Sequence, residues 1–157
     1  MHELAPEIKT IWALSVFRRT LFYSILALLF EIFVVDEYIN NWPLDDYLFP
    51  IITFSLGLIV VFTYPGLAYK FWRFDVRDDE LFLQRGIFTR VYTTAPYKRV
   101  QHLDVAQGIL ERAFGLGTLV VYTAGTRGAD VTIPGLPIAY AEDLRDRLKN
   151  ITNEDAV

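Results

Sequence analysis

The 157-residue sequence predicts an α+β membrane protein: a two-helix transmembrane hairpin, then a small antiparallel β-sheet domain capped by a C-terminal helix. Three observations carry this. Tyr47 to Tyr64, YLFPIITFSLGLIVVFTY, contains no Asp, Glu, Lys, Arg or His and has a Tyr at each end. Such a run matches the roughly 30 Å of hydrocarbon that a helix must cross, with the terminal rings at headgroup level. After Pro65 and Gly66 the pattern switches to alternating apolar and polar residues, the period of half-buried strands. Tyr140 to Ile151 then returns to helical spacing, with Leu144, Leu148 and Ile151 on one stripe and charges elsewhere.

Composition narrows the function classes. The chain has room for one hairpin and one small domain. Its 53% apolar content is high for a water-soluble protein and fits a large lipid-facing share. The net charge of −4 is unevenly spread, with Asp36, Glu37, Asp45 and Asp46 crowded into one short stretch and the rest nearly balanced. No broad positive field is present, which argues against nucleic acid as a partner. The absence of Cys excludes disulfides, thiolate metal sites and Cys nucleophiles.

Residues 1–20 form a cytoplasmic or interfacial segment. Leu4, Ile8, Ile11 and Trp12 fall at helical spacing, so the segment either lies in the interface with Trp12 as an anchor or leads into a helix. No small-residue cleavage site follows the apolar run, as a signal peptide would require. Leu21 to Val35 is the first span, Asn40, Asn41 and Pro43 supply turn chemistry, and the hairpin occupies residues 21–66 with an acidic external loop at 36–46. Lys9, Arg18 and Arg19 precede the first span and Lys70, Arg73 and Arg77 follow the second, while the connecting loop has no Lys or Arg. That asymmetry places both termini in the cytoplasm and the protein in the cell (inner) membrane. Trp12, Arg18, Arg19, Tyr47 and Tyr64 are the expected interface anchors.

Glu31 needs a reason, because a charged, lipid-facing carboxylate at mid-depth costs about 2.5 kcal/mol or more. Ser24, Ala27 and Leu28 share its helix face, and Thr53 and Gly57 offer small residues on the opposing span. The expectation is that Glu31 faces Thr53 or its neighbours as a packing carboxylate. A partner-pairing role, or transport or enzyme chemistry through Glu31, is the weaker alternative, since no second acid–base group lies in the spans.

Residues 67–152 form the cytoplasmic domain. Strands are expected at Phe71–Val76, Leu81–Gln84, Ile87–Tyr92, Thr93–Tyr97, Arg99–Val105, Thr118–Ala124 and Ala129–Ile133. Arg77–Glu80, Arg85-Gly86, Gly108–Gly117 and Gly125–Gly128 read as turns, and Pro134-Gly135 as the end of the strand set. Residues 153–157 are a tail.

Several motifs occur in a recognisable order: Phe74-Asp-Val-Arg-Asp-Asp-Glu-Leu, Arg85-Gly86-Ile87, Ala95-Pro96-Tyr97-Lys98-Arg99-Val100-Gln101, Gln107-Gly108 through Arg112, Phe114-Gly115-Leu116-Gly117-Thr118, Thr123-Ala124-Gly125 and Ile133-Pro134-Gly135-Leu136. The order resembles the bacterial pleckstrin-homology (PH) domain of the YdbS-like membrane protein family, over roughly Trp72 to Leu148. The resemblance implies a PH-like fold, a bent sheet of about seven strands plugged by the C-terminal helix, and no catalytic activity or cofactor. It also implies envelope-associated roles, including resistance to antimicrobial peptides, often beside a larger relative with repeated domains.

The residues themselves offer little chemistry. His2 and His102 lack metal-ligand spacing, and Ser15, Ser24 and Ser55 lie in or near membrane segments, away from any triad. Asp78-Asp79-Glu80 reads as a solvated turn. Arg85, Arg90, Lys98 and Arg127 are the candidate lipid-facing basic residues, each worth about 1 kcal/mol near an anionic surface. Eukaryotic PH domains bind phosphoinositides through a basic first turn, but here that turn, Arg77–Glu80, is acidic, which puts that route in doubt. The reading is therefore a non-enzymatic protein-interaction module held at the membrane, partnered by lipids and by a larger PH-repeat relative or its own copies. Anionic headgroup binding by the domain is the alternative.

Overall fold

The computed structural model describes residues 1–35, 47–124 and 131–154. It divides into two units, Thr10–Gly66 and a second made of Met1–Lys9 with Leu67–Val157. The expected acidic loop at 36–46, the Gly125–Gly128 turn with Arg127, and the last three tail residues lie outside the described residues.

Two long helices supply the first unit. Helix α1 runs Ile8–Phe30 and its last turn widens into a π-turn at Glu31–Val35. It starts at Ile8 rather than Leu21, because neither Gly nor Pro interrupts residues 8–20 and Pro6 marks the start. Helix α2 runs Leu48–Phe71 and continues through Pro65, where the sequence suggested an end. Proline removes one ladder N–H, a loss that membrane helices tolerate where local adjustments re-satisfy the freed carbonyl. The most apolar windows of the two helices are only 17% and 6% buried. A core helix of a water-soluble protein would bury most of that surface, whereas here Phe22, Tyr23, Leu26 and Phe62 stand exposed.

In the second unit, among the described residues, six strands rather than seven form two antiparallel sheets. β1 (Arg73–Val76), β2 (Glu80–Arg85) and β3 (Val91–Pro96) make the first sheet. β4 (Val100–Ala106), β5 (Leu116–Thr123) and β6 (Val131–Pro137) make the second. The count falls because Ile87–Arg90 is a turn and not a strand. Gly86 has φ of +106°, and an added Cβ would collide with the Thr89 carbonyl, so the chain reverses there and, of residues 87–97, Val91–Pro96 alone pair with β2. β6 runs through Pro134 to Pro137, past its expected end, because it is an edge strand whose missing N–H groups break no ladder. Within the predicted turn, Ile109–Ala113 forms a short helix α3. Helix α4 (Ile138–Glu154) closes the unit and runs two residues into the expected tail.

The core gathers the inward faces of both sheets, including Phe74, Leu83, Leu119 and Ile133, with Leu144 and Leu148 of α4. The N-terminal segment joins this core. His2 bridges to Phe74, the Ala5 N–H donates to the Gly135 carbonyl at 2.9 Å, and Leu4 and Ile8 are buried. Gly135, at φ +65°, lies so close to Ile8 that a Cβ would stand 2.7 Å from its side chain.

Candidate interaction surfaces

The helical seam comes first. Ser24 and Ala27 are buried, and Thr20 fills the space over Gly57. Glu31 is 4% exposed, and its Oε1 accepts the Tyr47 N–H at 2.6 Å. Its partner is thus not Thr53, whose hydroxyl donates to the Phe49 carbonyl in its own helix at 2.9 Å. A helix start has N–H groups without intrahelical partners, whereas a mid-helix Thr is satisfied by the preceding turn, so the carboxylate finds the helix start. The pairs Glu31–Tyr47 and Thr20–Gly57 fix an antiparallel register. Extended one turn, it puts the exposed Arg18 and Arg19 level with Leu58–Val60, about 7 Å short of Tyr64 at 1.5 Å per residue. For both sets to anchor one interface, the arginine stems must snorkel by that length, which they can span.

The predicted basic residues separate. β2 and β3 pair Arg85 with Val91 at one end and Glu80 with Pro96 at the other. Arg85 and Arg90 therefore share the β2–β3 turn, while Lys98 lies at the far end beside the acidic turn 77–80. A six-residue strand spans about 20 Å, too far for one headgroup-sized cluster. Arg90 sits over the ring of Phe71, the last residue of α2, at 5.9 Å.

The family motifs prove structural. Tyr97 is fully buried, and its hydroxyl donates to the Arg77 carbonyl at 2.7 Å. Burial, reinforced by Asp79 and Asp78, pushes its phenol up to about 12. The Arg99 guanidinium donates twice to the Ala124 carbonyl, at 3.1 and 2.9 Å. Gln107 donates to the Leu116 carbonyl at 2.7 Å, and Glu111 accepts from the Gly108 N–H and the Thr118 hydroxyl at 2.7 and 2.6 Å. His102 pairs with Asp104 on the exposed face of β4 at 2.7 Å.

Two features were missed in the sequence. The first is a groove of about 380 Å³ between β4 and α4, bordered by Val100–Leu103 on one side and Arg145, Asp146, Lys149 and Thr152 on the other. Among the described residues β4 pairs with β5 alone, so its other edge is an unpaired strand margin. On the rim, Arg145 donates to Asp146 at 2.9 Å, which holds that carboxyl below its usual range. The second is a pair of bare apolar side chains, Phe88 at 98% and Ile109 at 90% exposure. The Gly86-Ile-Phe-Thr-Arg90 pattern, a large apolar residue at the crest of a glycine turn, is the signal by which Phe88 could have been found.

Two lipid-exposed helices ahead of a two-sheet, helix-capped domain define a membrane protein with a PH-like module. The Bacterial PH domain family model matches residues 16–152, and the chain belongs to the YdbS-like family of bacterial PH-domain membrane proteins. It is 34% identical over 161 residues to the UPF0699 transmembrane protein YdbS of Bacillus subtilis (strain 168), covering 98% of this chain and 96% of that protein. It is 26% identical over 74 residues to the UPF0699 transmembrane protein YdbT of the same strain, covering 45% of this chain and 15% of that much longer protein. No solved structure matches.

Proposed function

We propose that the protein is a non-enzymatic, membrane-anchored docking module, with two spans, both termini in the cytoplasm and the PH-like domain at the inner face of the cell membrane. The domain captures a membrane protein by strand addition along β4, in the groove beside α4. The unpaired edge of β4 carries this reading: an extended segment placed there completes the ladder, and α4 offers side-chain contacts that select it. Tethering the domain a few residues from a span raises its effective concentration for membrane partners without any new contact. The partner is a longer PH-repeat relative or a second copy of this chain, and the family resemblance adds an envelope role such as antimicrobial-peptide resistance.

The test is site-specific photocrosslinking in native membranes. A photoreactive residue at Gln101 or Lys149 should give a discrete adduct with a PH-domain membrane protein, identified by mass spectrometry. The same residue at exposed Thr94, on β3, should not. Adducts at position 94 with none at 101 or 149 reject the groove.

A further inference from the structure

We propose that the domain also seats itself in the bilayer through two apolar tips, Phe88 on the β2–β3 turn and Ile109 on α3, with Arg85 and Arg90 on anionic lipid phosphates. This goes beyond protein docking and uses a different face of the domain.

Strand register puts both tips at the end of the unit where the helices attach. Arg73, two residues after the end of α2, pairs with Gln84, so the turn after Arg85 lies beside the start of β1. The stacking of Arg90 over Phe71 fixes the same proximity. In the second sheet Leu116 pairs with Pro137, and the Ile138 N–H donates to the Gly115 carbonyl at 3.0 Å. Helix α3 therefore joins β5 next to Gly135, the residue packed on Ile8 at the start of α1. Ile8 and Phe71 are the first residue of α1 and the last of α2, so both tips lie at the end of the domain where the chain runs into its two apolar helices.

The occupant follows from chemistry. A Phe ring left 98% exposed has no use in water, and it stands between two exposed arginines with no acidic residue in the turn. An apolar wedge flanked by cations matches the boundary between acyl chains and anionic headgroups, where such groups bury by roughly 5–10 Å. The acidic turn Asp78–Glu80 is at the other end of β2, about 20 Å away, and is kept out of the anionic layer. That arrangement also explains how a PH-like domain with an acidic first turn meets lipid at all.

The absence of Cys makes the test direct. Single cysteines at Phe88, Ile109 and Asp78 in the full chain are labelled with an environment-sensitive fluorophore. The protein is then reconstituted into phosphatidylcholine vesicles, with and without phosphatidylglycerol, that carry a shallow nitroxide lipid. Labels at 88 and 109 should be blue-shifted and quenched, more so with phosphatidylglycerol, while the label at 78 stays aqueous. Arg85→Glu with Arg90→Glu should remove the phosphatidylglycerol-dependent part at position 88. Both variants alter exposed side chains, so folding is not at stake. Emission at 88 and 109 equal to that at 78 overturns the proposal. Protection from water without nitroxide quenching also overturns it, because a protein and not lipid would then cover the tips.

Discussion

Replacing Glu31 by Gln and by Leu separates the work of its acceptor oxygen from that of its charge. In the native hairpin the carboxylate is 4% exposed and takes the Tyr47 N–H at 2.6 Å, directly ahead of the first residue of α2. Tyr47 itself has φ of +68°, so its N–H is aimed away from a helical course and toward α1. Gln keeps an acceptor at that position. Leu fills similar volume and removes a costly polar group, but leaves the N–H without its partner. A fully buried donor stranded in this way costs about 1–3 kcal/mol, and this part-buried one costs toward the lower end of that range. Glu31→Leu should therefore be less stable than Glu31→Gln by that amount, despite being the more apolar change. Equilibrium SDS denaturation in mixed micelles, followed by Trp fluorescence, measures the difference. A Leu variant as stable as the Gln variant, or more so, refutes the capping role.

The seam gives a second test. A Cβ on Gly57 would stand 2.7 Å from Thr20 Oγ1 and 2.9 Å from its Cβ, so Gly57→Ala should cost about 1–3 kcal/mol in the same assay, and less in a Thr20→Ala background. Alkaline stability tests the domain. The phenol of Tyr97 titrates near 12 when folded against 10 ordinarily, so the unfolded chain loses that proton first. Its stabilisation should be complete below pH 10 and fade as pH rises toward 12, and Tyr97→Phe should abolish that part of the pH dependence in a thermal melt.

The class of the protein was written in its sequence because hydrophobic period is a local property. An uncharged stretch long enough to span, a switch to period-two alternation and a final amphipathic helix needed no knowledge of neighbours. The same is true of motifs such as Ala95–Gln101, whose order matched the family. Where the turns fell was harder, because Ile87–Tyr92 and Leu81–Gln84 have the same strand-like composition. Only the positive φ of Gly86 and the register of β2 against β3 showed that one of them was half a turn. Which basic residues act together was also hidden. Arg90 and Lys98 are close in sequence, yet an antiparallel strand sends them to opposite ends, while His2 and Phe74, far apart in sequence, are paired. The chain's own pattern settled the two long apolar helices, the strand-rich domain and its closing helix. Tertiary pairing alone decided the partner of Glu31, the groove beside β4 and the company of Phe88, because each depends on which backbone groups and faces are left over once the segments have met.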